Sequence, residues 1–288
     1  MIGRRGFVAA GAAGVLALSA CRSRSENADP EATTGATGGT GTVSDDGGVR
    51  RLRYGADPSQ FADLTLPIGA AGPVPVAVVI HGGFWRSTYD LSLGEPLAAT
   101  LPLRGWAALN VEYRRVGNGG GFDATLADVG AAVDALAAVG ETLDLTRVVT
   151  IGHSAGGQLA AWAATRSDPA VAVTAVVAQA GVLDLRRAAA DRLGNGAVQA
   201  FLGGEPADVP ERYDEASPAE RLPLGVPVLC VHGRNDGNVP QSQSEAFVTD
   251  AVAAGDEAEL VMVDGDHFVV IDPTSGAWST VLDWLDGS

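Results

Sequence analysis

One pentapeptide limits the possible folds of this chain more than any other feature. Residues 152–156 read GHSAG, which has the form G-x-S-x-G, and they follow an apolar run at Val148–Ile151. Residues 158–162 can continue a helix after the motif. A serine at such a strand-to-helix turn exposes its hydroxyl at the edge of the sheet, and the glycines leave room for the tight turn. The sequence therefore predicts an α/β fold in which Ser154 is the nucleophile.

The rest of the chain repeats a pattern that fits this fold. From Val74 onward, short apolar runs, glycine-rich turns and longer segments of helical periodicity alternate. This alternation is typical of a mainly parallel sheet flanked by helices on both faces. We predict eight strands, the first two forming an antiparallel start: Leu52–Tyr54, Asp63–Leu66, Val76–Ile80, Ala107–Val111, Val148–Ile151, Ala175–Gln179, Val228–Val231 and Leu260–Val263. The predicted helices are Leu126–Val139, a segment from Ser154, Gln241–Ala254 and Ala277–Leu285.

One stretch interrupts the alternation of strands and helices. Residues 184–224 contain several arginines, a Gly-Asn-Gly turn at 194–196, and prolines at 206, 210, 218 and 223. Glycine and proline at this density mark turns and short elements. We expect a small cap insertion here, after the sixth strand.

A nucleophilic serine needs a base that accepts its proton, and histidine is the usual one. The chain has four histidines. His81 ends a strand, His153 is adjacent to the serine and points along the turn, and His232 lies on a strand run. His267 directly follows the last predicted strand, where ligands and catalytic groups meet in open parallel sheets. His267 is therefore the predicted general base.

The acid that orients the base should follow the preceding strand. Asp236 does so, and it gives the order serine, aspartate, histidine that this architecture uses. Asp184, after the Ala175–Gln179 strand, is the alternative acid. Asp264 and Asp266 are expected to shape the turn before the base.

The loop after the third predicted strand offers amides for an oxyanion hole. Residues 81–85 read HGGFW, so backbone N–H groups can approach a carbonyl oxygen with few side chains in the way. We expect the amides of Gly83, Phe84 and Ala155 to be the donors, with Gly82 as the substitute for one of them. Trp85 is expected to help shape the substrate pocket, although a tryptophan after an apolar strand also suits the core.

These motifs resemble a known superfamily. From about Tyr54 to the C-terminus the chain resembles the α/β-hydrolases, and HGGFW at 81–85, Tyr113-Arg114 and GHSAGG at 152–157 resemble the kynurenine formamidase and carboxylesterase (acetyl-xylan and feruloyl esterase-like) branch. The hormone-sensitive-lipase group is similar, but Phe84 replaces the last glycine of its His-Gly-Gly-Gly motif. Residues 232–240 match a pattern shared with prolyl-oligopeptidase-like hydrolases. The resemblance implies an α/β-hydrolase domain over residues 49–288 and a serine esterase activity.

Three functions remain open at this point. The first is hydrolysis of small neutral carboxylic esters through an acyl-enzyme at Ser154. The second is hydrolysis of an amide such as N-formylkynurenine by the same residues. The third is a surface lipoprotein that binds ligands without catalysis.

The net charge and the spacing of the histidines limit which ligands the protein is expected to bind. The formal net charge of −16 repels nucleic acid, so a neutral small-molecule ester or amide is the expected substrate. The histidines show no paired spacing of the H-x-x-x-H kind, so we expect no metal site, and no nucleotide motif or other sign of a cofactor is present.

The first residues have the pattern of an export signal. Arg4-Arg5-Gly6-Phe7 resembles a twin-arginine signal, and the apolar run Phe7–Ala20 is too short to span a bilayer. Leu18–Cys21 resembles a lipobox, which predicts a signal peptide at 1–20 and lipidation of Cys21, although an alanine-rich leader can end near a cysteine by chance. Residues 21–48 are expected to form a disordered tether because they have almost nothing to bury. These features predict an exported protein anchored by lipid to the outer face of the cytoplasmic membrane.

Overall fold

The computed structural model describes residues 48–140 and 142–287. The predicted signal peptide, Cys21 and all of the predicted tether except Gly48 lie outside the described residues. An eight-stranded sheet has the order β1-β2-β4-β3-β5-β6-β7-β8. The strands are β1 Val49–Arg53, β2 Phe61–Thr65, β3 Val74–Ile80, β4 Ala107–Val111, β5 Leu143–His153, β6 Ala175–Gln179, β7 Val228–Gly233 and β8 Ala258–Val263.

The strand directions agree with the prediction. β1 pairs antiparallel with β2, and β2 pairs antiparallel with β4. All other neighbouring strands are parallel. The α/β-hydrolase fold predicted from the sequence, with its mainly parallel eight-stranded sheet, is therefore confirmed.

The central strands are apolar because both of their faces are covered. Val76, Val78 and Ile80 of β3 point into the first core, on one face of the sheet. Ala77 and Val79 point into the second core, on the opposite face. This alternation follows from the two-residue period of side chains along a strand. Strands of this kind read as continuous apolar runs, which is why the sequence marks them so clearly.

Helices cover the two faces of the sheet. The first core includes side chains from α2, α3 and α7, and the second includes side chains from α1 and α8. The helices are α1 Glu95–Ala98, α2 Phe122–Asp134, α3 Ala155–Ala163, α4 Leu185–Ala190, α5 Leu193–Leu202, α6 Pro210–Ala216, α7 Ser242–Ala254 and α8 Gly276–Gly287. None of the helices within the described ranges is long and apolar enough to cross a membrane.

The segment predicted as a cap forms α4, α5 and α6 between β6 and β7. Gly194, Asn195 and Gly196 in the first turn of α5 have left-handed backbone angles. Gly194 contacts the loop after β3, because its carbonyl accepts a hydrogen bond from the Arg86 guanidinium and its α-carbon lies against the Phe84 ring. The segment therefore touches one of the loops that build the candidate site.

The described chain enters the sheet near the amino ends of the parallel strands, and the candidate site lies at their carboxyl ends. Val49 pairs with Thr65, which in turn pairs with Ala108 near the start of β4. Ile80 and Gly152 are paired at the opposite, carboxyl edge, where β3 and β5 end. The loops after β3, β5, β7 and β8 all leave the sheet at this carboxyl edge, because these strands are parallel.

Candidate active site

Ser154 occupies the sharp turn between β5 and α3. Its backbone angles are φ 57° and ψ −118°, outside the regions that L-residues normally adopt. The surrounding structure holds this strained backbone: the Ser154 amide donates to the Gln179 carbonyl at 2.8 Å. Strained residues of this kind cluster at active sites. The geometry matches the nucleophile turn that the G-x-S-x-G motif predicts.

The glycines of the motif are required by close backbone contacts. A Cβ at Gly152 would lie 2.0 Å from the Gly156 carbonyl oxygen, and a Cβ at Gly156 would lie 2.1 Å from the Ile80 oxygen. No side chain fits at these distances. The first turn of α3 can therefore lie directly against the end of β3.

The predicted acid and base are hydrogen-bonded to each other. His267 Nδ1 lies 2.7 Å from Asp236 Oδ2, and both side chains are buried. The Val239 and Asn238 amides donate to Asp236 Oδ1, each at 2.8 Å. Burial opposes ionisation of Asp236, but hydrogen bonds from His232, His267 and the Val239 amide outweigh it and hold the pKa of this carboxyl well below its usual range. Asp236 is therefore an ionised partner for the imidazole.

Sequence reasoning assigned no role to His232, which also contacts the acid. His232 Nε2 lies 3.2 Å from Asp236 Oδ2 and 3.0 Å from the Val239 carbonyl oxygen. Both oxygens are acceptors, so Nε2 carries the proton, and Nδ1 accepts from the Ser244 hydroxyl at 2.8 Å. The four-residue spacing between His232 and Asp236 at the end of a strand is the signal that could have pointed to this contact.

Two aromatic rings enclose the base. The His153 ring lies 4.4 Å from the His267 ring between centroids, and the Phe268 ring meets His267 edge-on at 5.3 Å. His153 immediately precedes Ser154, so the base is next to the nucleophile turn. The structure thus brings the predicted serine, aspartate and histidine into one region.

The predicted oxyanion loop has an unusual backbone. Gly83, Phe84 and Trp85 have φ values of 112°, 53° and 54°. Within residues 48–140 and 142–287, the amides of Gly82, Gly83 and Phe84 donate to no backbone or side-chain acceptor. Ala155 is the first residue of α3, and first-turn amides have no intrahelical partner. These N–H groups are available to a developing oxyanion.

Buried polar side chains support this loop. His81 Nδ1 donates to the Gly82 carbonyl at 2.7 Å, and His81 Nε2 accepts from Arg115 at 3.0 Å. Arg115 is paired with buried Glu112, and the Tyr113 hydroxyl donates to the His81 carbonyl at 2.7 Å. Burial and the charge of Arg115 lower the pKa of His81 to about 3. His81 is therefore neutral and serves as a fixed hydrogen-bond bridge under the loop.

Trp85 differs from the expectation that it lines the substrate pocket. Its side chain has no exposed surface, it stacks on Phe201 with ring centroids 4.8 Å apart, and its indole N–H donates to Gln158 at 2.9 Å. The positive φ of Trp85 turns the side chain inward, toward the first core. The structure places it as the core residue that the sequence also allowed.

The other aspartates considered as acids have local contacts. Asp184 caps the N-terminus of α4, where its side chain accepts from the Arg187 amide at 2.9 Å. Asp266 accepts from the Phe268 amide at 2.9 Å and so shapes the turn around the base. Asp264 lies 3.6 Å from Arg234. None of these contacts involves the base's side chain.

An open depression of about 550 Å³ lies beside the base. Its walls come from the loops after β7 and β8: Asn235, Gly265, Asp266, Phe268, Val269 and Asp272. Among residues 48–140 and 142–287, no group of three or more His, Cys, Asp or Glu side chains is placed to hold a metal ion.

The sequence matches the model of one known protein family. The family model described as BD-FAE matches residues 62–250, more than half of the sequence. This chain belongs to the BD-FAE family. The matched region of this BD-FAE member includes the oxyanion loop, the nucleophile turn and Asp236, and it ends before His267.

Curated relatives of this BD-FAE protein are named as esterases. Esterase LipC of Mycobacterium tuberculosis is 29% identical over 69% of this chain and 54% of its own length. Isoprenylcysteine alpha-carbonyl methylesterase ICME of Arabidopsis thaliana is 28% identical over 81% of this chain and 60% of its own length. The chain thus spans little more than half the length of these relatives.

A solved structure shows the same fold. Esterase B from Lactobacillus rhamnosis, inhibited by a tributyrin phosphonate, superposes with a TM-score of 0.72 at 23% identity. The superposition covers 85% of this chain and 86% of that protein.

Proposed function

We propose that this protein is a serine hydrolase that cleaves small neutral carboxylic esters through an acyl-enzyme on Ser154. The observation that carries the proposal is the buried Asp236–His267 hydrogen bond of 2.7 Å beside the strained nucleophile turn. The esterase names of the curated relatives and the phosphonate-inhibited esterase of the same fold support it.

In the acylation step, His267 Nε2 accepts the proton of the Ser154 hydroxyl while the serine oxygen attacks the ester carbonyl carbon. Nδ1 is engaged with Asp236, so Nε2 is the nitrogen left for this transfer. The ionised carboxylate stabilises the imidazolium that forms. The carbonyl oxygen becomes an oxyanion, which the amides of Gly83, Phe84 and Ala155 stabilise.

The tetrahedral intermediate then breaks its bond to the alcohol oxygen. His267 gives its proton to that oxygen, the alcohol leaves, and the acyl group remains on Ser154. In the second half, a water molecule attacks the acyl-enzyme and loses its proton to His267. Collapse of this second intermediate releases the carboxylic acid and returns the proton to Ser154.

The charge of the molecule supports neutral substrates. A formal net charge of −16 disfavours the approach of anionic esters and polyanions. The Phe268 side chain next to the base is exposed and offers an apolar contact to an uncharged substrate. Esters with small acyl groups and uncharged alcohols are therefore the substrates to test first.

The test treats the full-length protein with a fluorophosphonate probe and measures hydrolysis of p-nitrophenyl acetate and butyrate. We expect labelling and turnover in the wild type, and loss of both in Ser154→Ala. Ser279→Ala is the matched control, because this exposed serine lies on α8 and its hydroxyl donates to the Ser275 carbonyl of the same helix. It should keep both activities.

The outcomes separate the alternatives. A folded wild type that neither reacts with the probe nor turns over any ester contradicts the proposal and favours a ligand-binding role. Faster turnover of N-formylkynurenine than of every ester tested would replace ester hydrolysis by amide hydrolysis as the main activity.

We also propose that the protein is exported and anchored to the cell envelope through Cys21. The support is the sequence pattern of Arg4-Arg5, the apolar run that follows and the lipobox-like residues before Cys21. Labelling of cells with an azide-tagged palmitate should mark the wild type and Cys230→Ala, because Cys230 is buried in the sheet. Cys21→Ala should be unlabelled and absent from the membrane fraction; a labelled Cys21→Ala variant contradicts the anchor.

A further inference from the structure

His153 is the residue at which three separate segments of the candidate site meet. It ends β5 and precedes Ser154. Its ring Nε2 lies 3.0 Å from the main-chain carbonyl oxygen of His267. On its other side it lies against the oxyanion loop, because a Cβ at Gly82 would be 3.1 Å from its Nδ1 and 2.7 Å from its carbonyl oxygen.

The protonation state of His153 follows from these contacts. A carbonyl oxygen only accepts hydrogen bonds, so Nε2 carries the proton and donates it to His267. The side chain is buried, and burial together with the neighbouring His267 lowers the pKa of His153 to about 3. A neutral ring at this position adds no charge against the imidazolium that forms on His267 during turnover.

The sheet explains why the base needs such a contact. His267 follows β8, the edge strand, whereas Ser154 follows β5, and β6 and β7 lie between them. Neighbouring strands are roughly 4.8 Å apart, so the two loops start about 14 Å from each other. The loop of the base must therefore reach back across two strands, and ladder hydrogen bonds cannot fix its position over the nucleophile.

Two donors tie this loop to the centre of the sheet. His153 at the end of β5 donates to the His267 carbonyl, and Gln179 at the end of β6 donates to the Val270 carbonyl. Both donors are buried. The bond from His153 is the one made to the base itself.

We propose that His153 is a positioning residue, which holds the main chain of His267 through its Nε2–H donor and thereby sets the imidazole of the base over Ser154. The inference rests on the proposed function, because it assigns His153 a part in the same reaction. A displacement of a catalytic group by about 1 Å can cost on the order of 100-fold in rate. Loss of the donor should therefore lower kcat more than it lowers substrate binding.

Three variants test the inference in the full-length protein. His153→Leu removes the donor, and we expect kcat for p-nitrophenyl acetate and the rate of fluorophosphonate labelling to fall by about 10- to 100-fold, with KM within about twofold of wild type. The amide nitrogen of Gln reaches the place of Nε2, whereas that of Asn reaches only the place of Nδ1. His153→Gln should therefore recover most of kcat and His153→Asn should not.

Thr150→Val is the matched control. Thr150 lies on the same strand, and its buried hydroxyl donates to the Ala160 carbonyl at 3.0 Å without contacting the base. The control should lose comparable thermal stability and keep kcat. A folded His153→Leu with wild-type kcat overturns the inference; if that variant does not fold, equal kcat in His153→Gln and His153→Asn overturns it instead. Failure of the wild type to label contradicts the proposed function, which is a different result.

Discussion

Asp236 accepts hydrogen bonds at both of its carboxylate oxygens. Oδ2 accepts from His267 and lies 3.2 Å from His232 Nε2, and Oδ1 accepts from two backbone amides. These donors hold the carboxylate ionised although its side chain is buried. The residue can therefore fix the tautomer of His267 and stabilise its charged form without accepting a proton.

Replacement of Asp236 by asparagine should remove this charge and keep the size of the side chain. We expect kcat to fall by about 10⁴-fold, because a triad base in the wrong tautomer cannot accept the serine proton. Steady-state hydrolysis of p-nitrophenyl butyrate measures the loss. Asp184→Asn is the control, since asparagine caps a helix as well as aspartate does, and it should leave kcat and stability unchanged. A large loss of kcat in Asp184→Asn together with wild-type kcat in Asp236→Asn would make Asp184 the acid.

The sequence identifies candidate catalytic residues by their position directly after a predicted strand. Ser154, Asp236 and His267 were predicted in this way, and the structure brings them into one region. The contacts of His153 and His232 were not predicted, because their partners belong to other loops that only the folded chain brings together. Trp85 follows a buried strand as a pocket residue would, and its place in the core depends on Phe201 and Gln158, which only the folded chain brings to it.

The accuracy with which the strands and helices were predicted depends on how regular their apolar pattern is. The central strands β3 to β7 are found where they were predicted because they are largely buried on both faces. In β1 only Leu52 is buried, and this strand begins at Val49, three residues before the prediction. The start of α2 at Phe122 lies four residues before the prediction, since residues 123–125 carry no apolar period and the turn depends on a bond from the Gly121 amide to the Thr125 hydroxyl. Similarly, α4 to α6 are short and rich in turns, so the sequence indicates only an insertion there.

The first turn of α5 packs against the oxyanion loop through Gly194, which contacts Phe84 and Arg86. Gly194 and Gly196 have φ values of 58° and 78°, so alanine at either position costs about 1 kcal/mol of stability. A Cβ at Gly194 would lie 2.5 Å from the Phe84 ring, whereas a Cβ at Gly196 meets nothing nearer than 3.5 Å. Displacement of Phe84 would disturb an oxyanion donor.

Gly194→Ala should therefore lower kcat, by roughly 10-fold, whereas Gly196→Ala should lose only the stability that its backbone conformation costs and keep kcat. Paired measurements of kcat and of urea unfolding separate the two effects. Equal kcat in both variants would show that the cap segment does not hold the oxyanion loop.

The whole molecule should lose stability on mild acidification. His81 and His153 are buried, and the pKa of each is lowered to about 3, whereas an unfolded histidine has a pKa of about 6.5. Between these values the unfolded chain binds protons that the folded chain does not, so the free energy of unfolding falls as the pH falls below about 6.5. Asp236 acts in the same direction, but only below about pH 4.

From pH 7.5 to pH 5.5 each of these histidines should reduce the free energy of unfolding by roughly 1 kcal/mol, and the pair by roughly 2 to 3 kcal/mol. Glu112, whose pKa is raised by burial, works in the opposite direction, so this figure is an upper limit. Urea unfolding at the two pH values measures the loss. In His153→Gln the loss should shrink by about half; an unchanged loss would mean that His153 does not titrate as described.

The chain reaches the sheet near the amino ends of the parallel strands, so the start of the domain lies away from the candidate site. Through Thr65 and Ala108, Val49 lies level with Ala77 of β3, three residues or about 10 Å from Ile80 at the carboxyl end of that strand. Four strand positions also separate β1 from β5. A bead or a fused partner joined upstream of Val49 can therefore be attached without covering the approach to Ser154.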